Sequence, residues 1–303
     1  MTDIIIIGAG CAGLTAAIYA ARDRRSVLIF ENESVGGQIS RSPKVENYPG
    51  IKDISGMEFS DILCEQALGF GAQMDYGKVV KIEKTADGFE VVTDDGKVHN
   101  CKSVILATGA RHSHLGVDRE DELSGRGVSY CAICDGAFYK DKEVVVVGGG
   151  NTALQSAELL ADVCSKVYLV HRRDAFRAEE EMVKRVTANA KIELVLDSEV
   201  TALNGEQTLS SVTVKNKISG AEREINVKGM FVAIGQKPDN GAFANLVNCD
   251  ETGYIIADES CKTSCEGIYA AGDCRTKNVR QLTTAASDGA VAALSAGTYI
   301  RSK

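Results

Sequence analysis

Proline is nearly absent from this chain, 3 in 303 residues against a usual share of about 5%. Glycine is plentiful, at 30 residues, where about 7% is ordinary. Glycine without proline excludes a Pro/Gly-rich linker and points to places where the backbone approaches something closely. Positive charge is also in deficit. Lys and Arg total 34 against 42 Asp and Glu, the net charge is −8 and the isoelectric point is near 5.2, which argues against the phosphate backbone of a nucleic acid as the main ligand. No apolar run approaches the ~20 residues of a membrane span. No basic segment precedes the short run Ile4 to Ile7, so neither a targeting signal nor a membrane partner is expected, and the reading is a cytoplasmic protein. Hydrophobic residues at 44% and charged residues at 25% exclude a disordered or fibrous chain. The length suits about two domains, each with its own core.

Ten cysteines are scattered at positions 11, 64, 101, 131, 134, 164, 249, 261, 265 and 274. In a reducing compartment most are expected to be small buried thiols. The pair Cys131 and Cys134, with C-x-x-C spacing, is the exception.

Periodicity gives the organisation. A strand over residues 3–7 runs into the turn Gly8, Gly10, Gly13, a helix over 14–22 and a strand over 26–30 ending at Glu31; together they make a βαβ unit. The pattern recurs as a strand over 143–147, the loop Gly148 to Ala153, a helix over 154–163 and a strand over 166–170. Between the two, 78–83, 88–93 and 97–100 alternate like a small antiparallel meander, and 191–196, 209–215 and 222–227 predict its counterpart. Crossings between the halves are expected at 111–116 and 236–240, each after an apolar strand that ends in glycine. The predicted fold class is α/β: two doubly wound, Rossmann-like nucleotide-binding domains, each with a small antiparallel meander.

The spacing Gly8-x-Gly10-x-x-Gly13 means little alone, but here it follows a strand, opens a helix and precedes Glu31 at the end of the second strand, the context a dinucleotide fingerprint requires. Missing Cβ atoms let a pyrophosphate reach amides at the helix N-terminus, and Glu31 is placed for ribose hydroxyls. The alternative is a tight turn without a ligand. The second loop, Gly148, Gly149, Gly150, Asn151, Thr152, Ala153, has alanine at the third glycine position. Its second strand ends in His171, Arg172 and Arg173, with Arg177 beyond. Guanidinium groups there suit a 2′-phosphate and favour NADP over NAD; the bland reading is a solvated basic helix start.

Cys131 and Cys134 can meet across one turn. A zinc site would need a second ligand pair. Cys261 and Cys265 alone offer one, with less usual C-x-x-x-C spacing, and the four histidines (99, 112, 114, 171) do not fall into ligand spacing. An inert buried pair is the third reading; a redox dithiol is the reading preferred. Asp135 beside it could protonate a leaving thiolate or serve merely as a turn acid before Gly136. Near the C-terminus, an apolar strand ends at Gly272 and Asp273, and Arg280 and Gln281 head an Ala-rich helix predicted over 283–299. That carboxylate suits a ribityl hydroxyl, and that helix start suits a flavin's electron-rich edge. Cys274 is read as packing.

On these segments the chain resembles the low-molecular-weight thioredoxin reductases of the flavoprotein disulfide reductase superfamily. The resemblance is carried, in family order and over essentially the whole length, by Gly8 to Gly13, Gly36 to Ile39, Glu46 to Gly50, Ala107 to Gly109, Cys131 to Gly136, Gly148 to Ala153, His171 to Arg177, and Ala271 to Asp273 with Arg280 and Gln281. It implies FAD on a discontinuous domain of residues 1–113 and 241–303, held by Gly8, Gly10, Gly13, Glu31, Gly37, Gln38, Asn47, Thr108, Gly109, Gly272, Asp273, Arg280 and Gln281. NADPH would bind the domain 114–240, on Gly148, Gly150, Asn151, Thr152, His171, Arg172, Arg173 and Arg177. Electrons would pass from NADPH through FAD to the Cys131–Cys134 disulfide and then to thioredoxin. Cys134 would face the flavin, Cys131 would attack the partner and Asp135 would be the acid. The resemblance also implies a homodimer and a rotation of the NADPH domain between two states. One departure stands out: Gln155 and Ser156 occupy positions where the family usually has two glutamates. Rival readings are a ferredoxin-dependent flavin thioredoxin reductase, an NADPH reductase of another thioredoxin-like or peroxidase-linked protein, and a non-catalytic redox-sensing or zinc-binding module.

Overall fold

The computed structural model describes all 303 residues. They form two compact units, Met1–Arg111 with Lys237–Lys303, and His112–Gln236. In chain order the first unit opens with β1 (Thr2–Ile7), α1 (Cys11–Arg22), β2 (Val27–Glu31), α2 (Gly56–Gly69), β3 (Gln73–Tyr76), β4 (Val79–Lys84), β5 (Phe89–Thr93), β6 (Val98–Leu106) and β7 (Ala110–His112). The second unit contains β8 (Val128–Ser129), α3 (Ala132–Asp135), β9 (Glu143–Val147), α4 (Asn151–Val163), β10 (Lys166–Val170), α5 (Glu180–Ala188), β11 (Ile192–Val195), β12 (Ser198–Asn204), β13 (Ser211–Asn216), β14 (Glu222–Asn226) and β15 (Gly229–Val232). The chain returns through β16 (Gln236–Pro238) and closes the first unit with β17 (Ile268–Ala270) and α6 (Leu282–Ser302). No helix is long and apolar enough to cross a membrane.

In the first unit the strands β3, β2, β1, β6 and β17 pair in parallel in that order. Both faces are covered, so β1 reads as a continuous apolar run rather than an alternating one. Ile4 and Ile6 pack towards α1 and α6, while Ile5 and Ile7 pack with Val91 and Phe89 on the other face. All four are buried, and each contributes roughly 2–3 kcal/mol of transfer free energy. The second unit repeats the plan as β11, β10, β9, β15 and β8, all parallel. Along β9, Val144 and Val146 face α4 while Val145 and Val147 face the meander.

Two sequence expectations need correction. Residues 98–100 do pair antiparallel with β5 as the third strand of the expected meander, but the strand does not end there: they open β6, which continues to Leu106. Its start pairs antiparallel with β5, and its end pairs in parallel with β1 and β17. A strand whose two ends pair with different neighbours of one mixed sheet has no single local signal, because its exposed, alternating start gives way to a continuously buried end. Residues 191–196 do not start the second meander either. They form the parallel edge strand β11, and after a left-handed turn at Asp197 (φ 49°) the meander begins with β12. Both helices after the glycine loops start three residues earlier than predicted, at Cys11 and Asn151, because the loop's last residues already belong to the first turn.

Candidate functional site

In the first unit the glycine loop is forced by close packing. A Cβ on Gly8 (φ 105°) would lie 2.4 Å from the Ala107 carbonyl oxygen, and one on Gly13 would lie 1.9 Å from that of Gly8. Gly10 is different. Nothing closer than 3.8 Å would meet its Cβ, so its open face leaves room for a ligand to approach the backbone. Glu31 is buried at the end of β2 and ties the loop down: Ala9 N–H donates to its Oε2 and Glu33 N–H to its Oε1, each at 2.8 Å. A carboxylate accepts up to four hydrogen bonds, so lone pairs remain for a ribose. Gly37 packs beside Gly10, and Gln38 donates its amide to the Ala110 carbonyl.

Two helix N-termini meet here. Cys11, the first residue of α1, lies within 3.5 Å of the Leu282 carbonyl oxygen at the start of α6. The approach is possible because Gly289 of α6 has no Cβ; one would sit 2.2 Å from the Ala12 carbonyl oxygen. Gln281 caps α6 reciprocally with Thr284, and Asn47 donates to the Gln281 side chain at 3.3 Å. Gly272 (φ 81°) turns the chain after β17 so that Asp273 follows half-buried, with its Oδ1 enclosed and unpartnered. Burial pushes the Asp273 carboxyl up. An orphaned buried oxygen is costly, and a hydroxyl donor would relieve it. The bare face of Gly10, the two helix starts and this oxygen together fit a dinucleotide with a polyol arm.

Residues with no sequence signal hold this half of the site. Buried Asp288 of α6 accepts from Gly272 N–H at 3.0 Å, from Arg275 at 2.9 and 2.8 Å, and from Lys277 at 2.8 Å. Burial works against its ionisation, yet the Arg275 and Lys277 bonds outweigh it and hold its pKa below the ordinary carboxylate value. Its stabilising contribution is therefore present above the unfolded pKa, near 4, and is lost as pH falls below it. Asp288→Ala strands two buried cations, so a loss of about 3–5 kcal/mol is expected. A lowered denaturation midpoint, with part of the difference vanishing in acid, checks this. Asn240 clamps the same region: it accepts from Thr108 at 2.8 Å and donates to the Gly253 and Cys274 carbonyls, each at 2.9 Å. Arg280 lies over the Tyr254 ring at 4.2 Å, with its head on the Asp273 and Arg275 carbonyls. Gly109 (φ 67°) makes the turn after Thr108. Cys274 is fully buried against the Leu106 and Ala271 carbonyls.

The second unit's loop is built alike. A Cβ on Gly148 (φ 153°) would lie 2.3 Å from the Ala233 carbonyl oxygen and 2.7 Å from Ala153 Cβ, which fills the third glycine position. Gly150 caps α4. Asn151 accepts from Glu179 N–H at 2.9 Å, and Thr152 sits exposed on the first turn. His171 differs from its neighbours: its ring is buried beneath the loop, where a Gly149 Cβ would strike it at 2.1 Å, stacks on Phe176 and bonds the Ala175 carbonyl at 3.1 Å. Burial pushes its pKa down. Arg172, Arg173 and Arg177 are exposed, and no carboxylate pairs with any of them. Gln155 is exposed, and Ser156 bonds back to the Thr152 carbonyl at 2.7 Å.

Cys131 and Cys134 form a disulfide, with Cα atoms 5.3 Å apart. Cys131 is the N-cap of α3, and its Sγ accepts the Cys134 N–H at 3.2 Å. Cys134 and Ile133 are exposed, and Cys131 is half-buried. Asp135 closes the turn. Its Oδ2 accepts from Ser129 at 2.6 Å while its Oδ1 is buried without a partner. Burial pushes its carboxyl up, with the Ser129 bond working against that. Cys261 packs in the first unit against the Asp288 carbonyl, its thiol pushed up to about 12 by burial. No three His, Cys, Asp or Glu side chains converge in a way that could hold a metal ion.

Comparison with known proteins agrees with this arrangement. The model of the pyridine nucleotide-disulphide oxidoreductase family matches residues 2–289. A thioredoxin reductase of Listeria innocua is 42% identical over 98% of this chain and 93% of its own, and that of Treponema pallidum is 43% identical over 98% and 97%. The crystal structure of thioredoxin reductase from Streptococcus pyogenes superposes with a TM-score of 0.96 at 42% identity, covering 100% of this chain and 99% of that one.

Proposed function

Because the chain belongs to the pyridine nucleotide-disulphide oxidoreductase family, in its thioredoxin reductase branch, we propose that it reduces the disulfide of thioredoxin with electrons from NADPH, through FAD and the Cys131–Cys134 pair. The observation that carries this is a disulfide on an exposed turn with a half-buried acid beside it, in a unit that also has a glycine loop and three unpaired arginines. Membership of the family implies a flavin and a pyridine nucleotide; FAD and NADPH are the choices these residues favour.

The first unit's residues fit FAD. Gly8, Gly10 and Gly13 with Glu31 would hold its adenosine diphosphate half, and Gly37, Gln38, Asn47, Thr108, Gly109, Gly272, Asp273, Arg280 and Gln281 its ribityl and ring half. NADPH would lie on Gly148, Gly150, Asn151 and Thr152, its 2′-phosphate held by Arg172, Arg173 and Arg177, with His171 fixing the loop from below. The chemistry a bound flavin supplies is two-electron transfer between the nicotinamide and the disulfide. In the reduced chain the Cys134 N–H stabilises a thiolate on Cys131, which attacks the thioredoxin disulfide. Asp135, kept above the ordinary carboxylate range by burial, gives its proton to the departing thiolate. Cys134 then attacks Cys131, releasing reduced thioredoxin and restoring the disulfide. A homodimer and a cytoplasmic location complete the reading; equilibrium sedimentation tests the first. The function itself is tested by coupled turnover: NADPH oxidation that depends on added thioredoxin supports it, and turnover indifferent to thioredoxin opposes it.

A further inference from the structure

One hydroxyl beside the dithiol has three contacts and no role in the scheme above. Ser129 ends β8, two residues before Cys131. Its Oγ accepts the Cys131 N–H at 3.1 Å, and lies 2.6 Å from Asp135 Oδ2 and 3.4 Å from the Cys131 carbonyl. One of its lone pairs accepts from the amide, and its single proton goes to the nearer and stronger acceptor, Oδ2 at 2.6 Å rather than the carbonyl at 3.4 Å. The oxygen of a carboxyl group that accepts a hydrogen bond is the carbonyl-type oxygen. The acid proton is thereby left to Oδ1, the oxygen that is buried and has no partner in the protein.

We infer that Ser129 is a positioning residue that selects Asp135 Oδ1 as the proton-carrying oxygen and locks the acid to the backbone of the attacking cysteine. The inference rests on the reading of Asp135 as the acid. In the step concerned, Cys131 thiolate forms a bond to one sulfur of the partner disulfide and the other sulfur leaves with the electron pair. Docking of the partner opens Oδ1, which is enclosed in the oxidised chain, and its proton moves to that sulfur, leaving Asp135 as a carboxylate. Ser129 neither gains nor loses a proton overall. Its hydrogen bond favours the charged form of the carboxyl, so removing it raises the pKa at which the acid is spent.

The test uses the full chain, its dithiol reduced chemically and freed of reductant, mixed with oxidised thioredoxin in a single turnover across a pH series. Ser129→Ala should slow thiol transfer by about tenfold, as expected for one lost hydrogen bond to a charged group, and move the alkaline limb of the profile to higher pH. Ser129→Thr, which keeps the hydroxyl, should restore both rate and limb. An unshifted limb with an unchanged rate in Ser129→Ala overturns the inference, provided Asp135→Asn is slow in the same assay. If Asp135→Asn is as fast as the parent chain, the acid itself is misassigned and Ser129's role falls with it. Should Ser129→Ala misfold, a Thr variant with the parent rate but a displaced limb also counts against it.

Discussion

Replacing either Cys131 or Cys134 with serine is expected to abolish thioredoxin reduction, by at least about a thousandfold, the scale seen when a nucleophile is removed from an acyl- or thiol-transfer site. Flavin content should not change. Both cysteines belong to the His112–Gln236 unit, whereas every residue proposed to hold the flavin is in the other unit. The two variants should also fail differently. With Cys131 kept, the Cys134→Ser chain retains the attacking thiol and should accumulate a mixed disulfide with thioredoxin, visible on a non-reducing gel. With Cys134 kept, the Cys131→Ser chain should accumulate none. A mixed disulfide in the Cys131→Ser chain alone would reverse the assignment of the two sulfurs. Full activity in either variant would remove the dithiol from the mechanism.

The second large effect concerns the electron donor. Arg172, Arg173 and Arg177 are exposed and unpaired in a chain of net charge −8. Cations held without carboxylate partners in an acidic protein indicate a site for an anion, and guanidinium groups suit phosphate. Replacing Arg172 and Arg173 with alanine should raise KM for NADPH on the order of ten- to a hundredfold, since a hydrogen bond to a charged group contributes about 1.5–3 kcal/mol. KM for NADH should barely move, and kcat should be unchanged, because the 2′-phosphate is remote from the reacting carbon and is bound equally in ground and transition states. Equal losses for both nucleotides would mean that the arginines support the fold of the loop instead.

The contrast between these arginines and Glu31 shows how far the sequence could be read. Glu31 ends the second strand of one βαβ unit and the arginines follow that of the other, and that position is the ground on which a dinucleotide of each kind is proposed. What the position could not convey is that the Glu31 carboxylate already binds Ala9 N–H and Glu33 N–H, so that the acid shapes the glycine loop in addition to the ribose contact proposed for it. His171 was legible only as one more basic residue beside the arginines. Its buried ring under Gly149 depends on the loop and the strand end meeting in space, which local pattern does not encode. Asp288 and Asn240 were missed for the same reason. Each joins segments far apart in the chain: Asp288 bonds Gly272, and Asn240 bonds Thr108. A lone acid in an Ala-rich helix and an Asn two residues beyond a proline have no local signature. Ser129 lay close to a motif that was recognised, but its importance depends on the turn that folds Asp135 back to within 2.6 Å. The parallel strands and glycine loops were legible because continuous apolar runs and missing Cβ atoms leave strong local patterns. The division of labour along β6, and the placing of residues 191–196 in the parallel sheet, depended on pairing partners.

Because Gln155 and Ser156 stand on the first turns of the helix after the second glycine loop, the most direct test is of the donor: anaerobic mixing of the purified protein with NADPH while the visible flavin band is followed, with oxidised thioredoxin added afterwards. Rapid bleaching by NADPH, much slower bleaching by NADH, and return of the band when thioredoxin is supplied are the expected results. A flavin that dithionite reduces but NADPH does not would contradict them, and would transfer the donor's role to a protein such as a reduced ferredoxin.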